Sequence, residues 1–280
     1  KQKTAYEIMP SLVGSEMCIR DRSLRGPLRG GLMRRKGFIR LIIWELEEYW
    51  SFPIPEIIIF IAVFSLLGYT PAPTSFSMRY WLLENSLTRT PIFLILIVGV
   101  LFSRSLAGSI GNREMIVLLS FPVKRWHIFL SKLIVNFLMI FIIFGSILMS
   151  NIPLLALSPL EPAAYISLMI LLLQLLFLSS VTIVMSLITK NGIASILTSI
   201  LLLYGLEFAL CDEPTPLKCF SLDGGVRIMF DYLVRVFYPL PRGGRFTYID
   251  FILALLFPLL TSITLIISAF IYFQWIMEID

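Results

Sequence analysis

The sequence predicts an all-α integral membrane protein with six transmembrane helices, preceded by an amphipathic helix that lies in the membrane interface. The first observation is composition: 58% of the 280 residues are hydrophobic and only 15% are charged, with a mean hydropathy of +0.88. A soluble domain could not cover so much apolar surface with so few polar side chains, whereas a bilayer accepts it. The second observation is a series of apolar runs, each long enough to cross a hydrocarbon core of about 30 Å.

The first 22 residues, KQKTAYEIMPSLVGSEMCIRDR, differ in character from the rest of the chain. They contain neither an apolar signal-peptide core nor an amphipathic period. The string resembles translated sequencing-adapter read-through. Residues 1–22 are therefore predicted to be a non-native tail, and a genuine disordered tail is the alternative.

Residues 23–51 are predicted to form a basic lead-in followed by the amphipathic helix. Apolar residues recur at spacings of three and four, at Phe38, Leu41, Ile42, Leu46, Tyr49 and Trp50, with Arg40, Glu47 and Glu48 turned away. The candidate residues of this interfacial helix are Arg40, Trp44, Glu45 and Trp50. The pattern is typical of a helix in the headgroup plane. A cytosolic extension of the first span is the alternative.

Six apolar segments follow within residues 52–276, and each is predicted to span the membrane. They run from about 53 to 69, 91 to 107, 128 to 149, 163 to 188, 192 to 210 and 249 to 272. In the first segment Glu56 shortens the uninterrupted apolar core.

The distribution of Lys and Arg predicts that both termini are cytoplasmic. With the N-terminus inside, twelve basic residues flank the inner ends of the six segments and seven flank the outer ends. Short cytoplasmic loops carry such an excess. We therefore expect a multi-pass protein of the plasma membrane.

The connection between the second and third segments, residues 108–127, is the most informative part of the sequence. It is too polar to span and too apolar to be a simple solvated loop. Residues 113–119 can form an amphipathic helix, Pro122 ends it, and Lys124 and Arg125 form a basic corner. A partner protein could use a cytoplasmic helix held between two spans to transmit motion into the membrane.

The stretch LLSFPVKR at residues 118–125, with Lys132 seven residues later, resembles the ABC type-2 permease family. Members carry a leucine-leucine-x-x-Pro-Val-x-Arg run and then a Lys that opens the third span. The six-segment layout and Glu45, equivalent to the family's acidic position on the first helix, extend the resemblance over most of residues 34–275. Upstream of this run, family members carry a segment with an acidic residue and a glycine. Gly111 and Glu114 do not have the spacing that is usual for those two residues in the family.

The resemblance implies the permease subunit of an ATP-driven exporter. The segment that couples to a separate ATP-binding subunit would comprise Asn112, Arg113, Glu114, Pro122, Lys124 and Arg125. A homodimer or heterodimer of permeases is also implied, with ATP and Mg on the partner subunit. The chain contains no G-x-x-x-x-G-K-[ST] loop for nucleotide phosphates, so we expect no catalytic residues, cofactor or metal site of its own. Nucleic acid is not an expected partner, because no polar domain carries a basic groove.

The connection between the fifth and sixth segments, residues 211–248, is predicted to be external and to contain an outer-leaflet interfacial helix. The alternative is a purely structural lid over the helix bundle. Its apolar face would comprise Ile228, Met229, Tyr232, Leu233, Val236 and Phe237, and Arg227, Asp231 and Arg235 are spaced for ion pairs. Cys211 and Cys219 lie in the same loop. A disulfide between them and two free thiols are the two alternatives.

Two other functions are compatible with such a bundle: an ion-coupled secondary transporter and a non-transporting membrane assembly factor. Ion-coupled carriers usually place ionisable groups or broken helices near the midplane, whereas Gln174 is the most polar mid-span side chain of the fourth segment. An intramembrane protease is disfavoured, because His127 is the chain's single histidine and no H-E-x-x-H motif is present.

Overall fold

The computed structural model describes residues 38–39, 41–47, 54–67, 76–112, 114–115, 118, 124–154, 157, 160–211, 220–238 and 246–276. Every regular element among these residues is helical, and five helices are long and apolar enough to cross a membrane. The all-α class is therefore confirmed for the described residues, and these five helices have the length and composition that a membrane crossing requires. Outside the described residues lie the tail at 1–22 and Arg40, Trp50, Arg113, Pro122 and Cys219, and the side chain of Cys211 is likewise not described.

We number the described helices in chain order. α1 comprises residues 41–47, α2 Ile54–Leu67, α3 Phe76–Ser103, α4 Arg125–Leu154, α5 Pro162–Thr189, α6 Gly192–Cys211, α7 Leu222–Phe237 and α8 Tyr248–Ile271. A π-helical turn, Arg104–Gly108, and a last α-helical turn, Ser109–Gly111, extend α3, and a second π-helical turn, Tyr272–Ile276, extends α8. The five candidate spans lie in α3 with its extension, α4, α5, α6 and α8 with its extension.

Helices α4, α5, α6 and α8 coincide with the third to sixth predicted spans, whereas the helix that contains the second predicted span begins well before it. α3 begins at Phe76, and Pro91, which the prediction took as the first residue, lies in its interior. The polar residues before Pro91 remain helical because their hydroxyls bond to their own helix. Ser86 Oγ donates to the Leu83 carbonyl and Thr90 Oγ to the Ser86 carbonyl, each at 2.8 Å.

α2 occupies the position of the first predicted span and packs against α3 and α4. Its 14 residues make a helix of about 21 Å, shorter than a hydrocarbon core of about 30 Å. α2 is accordingly not among the five candidate spans, and the sixth crossing stays a prediction. Ile58 is buried against the bundle, whereas Phe60 is exposed.

α5 is the central helix and contacts α3, α4, α6, α7 and α8. Its buried side chains include Ile170 and Phe177. α6 and α8 lie at the periphery and expose large apolar residues such as Leu201 on α6 and Leu260 on α8. These outward apolar faces suit contact with lipid, because a bilayer solvates them without cost.

Contacts between distant residues place the helix termini at two opposite ends of the bundle. At the first, which we call the α1 end, α1 meets the start of α4, and Phe129 of α4 packs against Phe273 at the end of α8, with ring centroids 5.4 Å apart. At the second, the α7 end, Tyr80 near the start of α3 and Tyr238 after α7 both donate to Glu161, which precedes α5. Successive spans α3 to α6 therefore alternate in direction. The assignment of the α1 end to the cytoplasm stays a prediction.

Candidate functional site

A buried ion pair connects α1 to α4. Lys132 Nζ lies 2.9 Å from Glu45 Oε1 and donates to Glu45 Oε2 at 3.3 Å. The side chain of Glu45 is 0% exposed and that of Lys132 is 5% exposed. Removing one partner from such a pair typically costs about 3–5 kcal/mol, because the other charge is left buried and uncompensated. The pair therefore fastens α1 to the bundle.

The face of α1 that meets the bundle is centred on Glu45. Leu41 and Ile42, which flank Glu45 on the helix surface, pack against the core. Trp44 and Leu46 are exposed, so Glu45, and not Leu46, lies on the face that packs against the bundle. The sequence pattern could not show that Glu45 faces the bundle, because a pattern based on polarity places a carboxylate on the exposed face. Glu45 can be buried because Lys132 pairs with it. The exposed apolar side chains suit the predicted interfacial position.

The start of α4 supports the ion pair with further polar and aromatic groups. Asn136, one turn beyond Lys132, is 1% exposed, and its Nδ2 donates to the Lys132 carbonyl at 2.8 Å. Phe38, just before α1, lies over the first turn of α4, with its ring centroid 5.2 Å from that of His127. α1 is thus held to α4 by Glu45, and the residue Phe38 before it makes a second contact with α4.

The predicted coupling segment, residues 108–127, is amphipathic where the structure describes it. Glu114, Met115 and Leu118 are helical, with Met115 fully buried and Leu118 nearly so. Asn112 and Glu114 are exposed, as are Lys124 and Arg125 where α4 begins. The segment thus anchors itself with apolar side chains and presents charged ones outward, which is the arrangement that a docking surface requires.

The extension of α3 packs closely against the turn between α5 and α6. A Cβ atom added at Gly111 would lie 3.2 Å from the Lys190 carbonyl oxygen, and one at Gly192 would lie 3.4 Å from Gly108 Cα. Lys190 itself ends α5 in the left-handed region, with φ 52°. A Cβ at Gly111 would be closer than an ordinary contact, whereas one at Gly192 would be at ordinary contact distance. Larger side chains at either glycine would push the backbones apart, so this joint depends on small residues.

A cluster of three buried serines lies next to this joint. Ser195 Oγ of α6 is 2.8 Å from Ser103 Oγ of α3 and 2.9 Å from Ser186 Oγ of α5. Ser186 also donates to the Thr182 carbonyl at 2.7 Å. In an apolar interior these hydroxyls need partners, and here each finds them on a neighbouring helix. The cluster therefore fixes the relative position of three spans.

The π-helical turn Arg104–Gly108 begins directly after Ser103. Such turns add a residue to the helix and occur frequently at functional sites. Here the turn lies between α3 and the predicted coupling segment, and it buries Ser105, Leu106 and Ala107 while leaving Arg104 exposed. It therefore sets the direction in which the predicted coupling segment leaves α3.

Sequence reasoning identified Glu45 and Lys132 separately but did not pair them, and it missed the serine cluster. A signal for the cluster is present: Gly99, Ser103 and Ala107 repeat every four residues in α3, and Ser195 and Ser199 do so in α6. This small-x-x-x-small pattern is typical of close helix packing in membranes.

At the α7 end, the connection that is predicted to be external contains a helix, α7, which buries several apolar side chains against the bundle. Asp231 and Arg235 form the expected ion pair at 2.6 Å, whereas Arg227 pairs with Asp223 at 3.2 Å. The buried face of α7 includes Val226, Ile228, Met229, Phe230 and Val234, and Val236 and Phe237 are exposed. α7 packs against α3, α5, α6 and α8, and the outer-leaflet position of its exposed apolar residues stays a prediction.

The α7 helix is also held at its first turn by a carboxylate from another helix. Glu207 of α6 accepts from the backbone N–H groups of Leu222 at 2.7 Å and Asp223 at 3.1 Å. These two donors have no partner within the helix. Glu207 thus supplies the acceptor that these two N–H groups lack, and the two hydrogen bonds link α6 to α7.

Among the described residues, no group of three or more His, Cys, Asp or Glu side chains could hold a metal ion. Comparison with protein-family models, with curated proteins and with solved structures gave no match. The family resemblance therefore rests on residues 118–132, on Glu45 and on the order of the spans.

Proposed function

We propose that this chain is the membrane-spanning permease subunit of an ATP-driven transporter of the ABC type, and that it works as an exporter in the plasma membrane. A separate ATPase subunit, carrying ATP and Mg, would drive its alternation between conformations, and the permease would function as a homodimer or heterodimer. The observation that carries the proposal is the buried Lys132–Glu45 pair, which ties an amphipathic helix to the span that the coupling segment enters.

The contacts around the coupling segment support this role mechanically. The segment continues directly from α3 and leads into α4 at Arg125. Lys132 ties α4 to α1, and the close backbone approach at Gly111 and Gly192 ties the α3 extension to the α5–α6 turn. Because well-packed elements move as rigid bodies, a force applied to the segment would reach four spans and α1 together.

The position of the buried charges favours this function over ion-coupled transport. Among the described residues, the fully buried charged side chains are Glu45 and Lys132, and both lie at the α1 end. A carrier driven by an ion gradient needs coordinating or titrating groups near the midplane. The described buried polar side chains of α5, among them Gln174 at mid-span, are instead neutral.

The test is copurification of the full chain from its native membranes after charge reversal in the coupling segment. The variants are Glu114→Lys and the double change Lys124→Glu with Arg125→Glu, all at exposed positions. We expect a stoichiometric ATP-binding subunit with the unaltered chain, and at least a tenfold loss of that subunit and of ATP hydrolysis in the variants, since like charges across a docking surface cost several kcal/mol.

The matched control is Arg227→Glu, a reversal of an exposed charge at the α7 end. It should leave the amount of ATP-binding subunit unchanged. Unaltered copurification and ATP turnover in both coupling-segment variants would contradict the proposal. A purified chain that is free of any ATPase and takes up substrate with protons would replace it with secondary transport.

A further inference from the structure

A small cavity lies among α5, α7 and α8, and residues of all three helices line it. About 20 Å³ of it is open to the centre of a water-sized sphere, and a single water molecule needs about 10–15 Å³ of such space. Large aromatic rings form much of the wall: the centroid of the Phe257 ring lies 6.1 Å from that of Phe177 and 4.6 Å from that of Phe220. The cavity therefore admits one water molecule and no larger ligand.

Gln174 of α5 brings a primary amide to this cavity. The residue is 3% exposed, and its Oε1 and Nε2 atoms are both buried without a hydrogen-bond partner among the described residues. The buried hydroxyls of the same helix differ, because Ser167, Ser180 and Thr182 each donate to a carbonyl of α5 itself. Buried polar groups are nearly always bonded to protein or to ordered water, so this amide points to a bound molecule.

A water molecule matches both polar atoms of the amide. The amide nitrogen donates and the amide oxygen accepts, and one water can accept from the first while it donates to the second. Buried waters typically make roughly two to four such bonds. Ser221 lines the same cavity and caps α7, since its Oγ accepts from the Gly224 N–H at 2.8 Å. A water on the Gln174 amide would thus lie beside the first turn of α7.

From these contacts we infer that the cavity binds one internal water molecule, held by the side-chain amide of Gln174 between α5 and the first turn of α7. The water satisfies the amide while α7 stays packed on α5, so a polar side chain can occupy the middle of this span without opening the bundle. A calcium or magnesium ion does not fit the same place, because it requires about six or more ligand oxygens, and the lining residues with polar side chains are Gln174 and Ser221. The site is independent of the proposed ATPase partner.

The test is X-ray radiolytic labelling of the full chain in detergent micelles. X-rays split water into hydroxyl radicals, which oxidise the side chains next to each water, and mass spectrometry measures the oxidation rate at each methionine. Met229 of α7 lines the cavity and is 3% exposed, whereas Met139 of α4 is 5% exposed and does not line it. We expect Met229 to be oxidised about tenfold faster than Met139, because of these two buried methionines it is the one beside a cavity with room and partners for a water.

Gln174→Leu removes both polar atoms that hold the water. The rate at Met229 should then fall at least about fivefold, toward that of Met139, since a water without hydrogen-bond partners does not occupy an apolar cavity. Gln174→Met should give the same fall, and its unbranched side chain keeps the shape of Gln. Ser167→Ala is the control: it removes a buried hydroxyl of the same helix that bonds to the Ala163 carbonyl, and it should leave the rate at Met229 unchanged.

A second measurement separates a bound water from an open channel. Chloramine-T, an oxidant far larger than water, should leave Met229 as unreactive as Met139 in the folded protein and should oxidise both after denaturation.

Three results would overturn the inference: equal X-ray oxidation of Met229 and Met139 in the unaltered chain, an unchanged rate at Met229 in either folded Gln174 variant, or oxidation of Met229 by chloramine-T in the folded protein. A variant in which the rate at Met139 also rises has lost its fold, and the comparison of the two methionines in the unaltered chain then decides.

Discussion

Glu45 and Lys132, 87 positions apart in the chain, meet as a buried ion pair with Oε1 and Nζ 2.9 Å apart. The pair joins α1 to α4, the helix that begins at Arg125. α1 is short and exposes apolar side chains on its other faces. An interfacial helix held only by lipid would be free to move independently of the bundle. The ion pair removes that freedom, so α1 follows any displacement of α4.

The first prediction concerns the removal of one charge at a time. Glu45→Gln and Lys132→Met should each lower the free energy of unfolding by about 3–5 kcal/mol, because each leaves an uncompensated buried charge. The double variant should recover most of that loss, since replacing both charges by neutral groups of similar size is often close to neutral. Thermal melting of the purified protein in one detergent provides the measurement.

Glu47→Gln is the control for this prediction, because Glu47 lies on the same helix and is exposed. It should change stability by less than about 0.5 kcal/mol. If the loss of unfolding free energy in the double variant equals the sum of the losses in the two single variants, the two residues do not interact energetically. The ion pair would then not fasten α1 to the bundle.

Much of the fold could be predicted from apolar run length alone, because crossing a bilayer imposes a minimum length on each span. α5, for example, runs from Pro162 to Thr189 where the sequence predicts 163–188. The start of α3 could not be predicted in this way, because buried serines and threonines that bond to their own helix resemble a polar loop in sequence.

The candidate site was less accessible to sequence reasoning, for a physical reason. Periodicity shows which residues share a helix face, but it does not show which helix lies opposite. Glu45 was therefore identified as a candidate, and Lys132 as part of a motif, without any indication that they touch. The serine cluster similarly depends on three helices whose order around the bundle is set by packing.

The second prediction concerns the close approach of α6 to the α3 extension. Gly192→Leu should destabilise the protein by about 1–3 kcal/mol, because the side chain would overpack a joint in which even a Cβ would lie 3.4 Å from Gly108 Cα. Gly205→Leu provides the control in the same helix, since a Cβ there has nothing within 4 Å. It should be neutral or gain up to about 1 kcal/mol of helix propensity. Equal melting temperatures of the two variants would show that the joint is not tightly packed.

The third prediction concerns the serine cluster. Ser195→Ala removes the hydroxyl that lies within 2.9 Å of both Ser103 and Ser186, and should cost about 0.6–1.7 kcal/mol, the range for interhelical hydrogen bonds in membranes. Thr198→Ala, at an exposed position of α6, should cost less. A double-mutant cycle between Ser103→Ala and Ser195→Ala should give a coupling energy of at least about 0.5 kcal/mol. Additive effects would mean that the two hydroxyls are neighbours without a stabilising bond.

The fourth prediction concerns the carboxylate that holds the first turn of α7. Glu207→Ala leaves the N–H groups of Leu222 and Asp223 without their acceptor, so hydrogen exchange at these two amides should accelerate by roughly the factor of five that about 1 kcal/mol of lost capping implies. Glu207→Gln keeps an acceptor but loses the charge that favours a helix N-terminus, and its effect should be intermediate. Exchange at the amides of Val234 and Arg235, near the other end of α7, should not change in either variant. Acceleration along the whole of α7 would instead indicate that Glu207 holds the entire helix in place, because the first turn and the rest of α7 would then detach together.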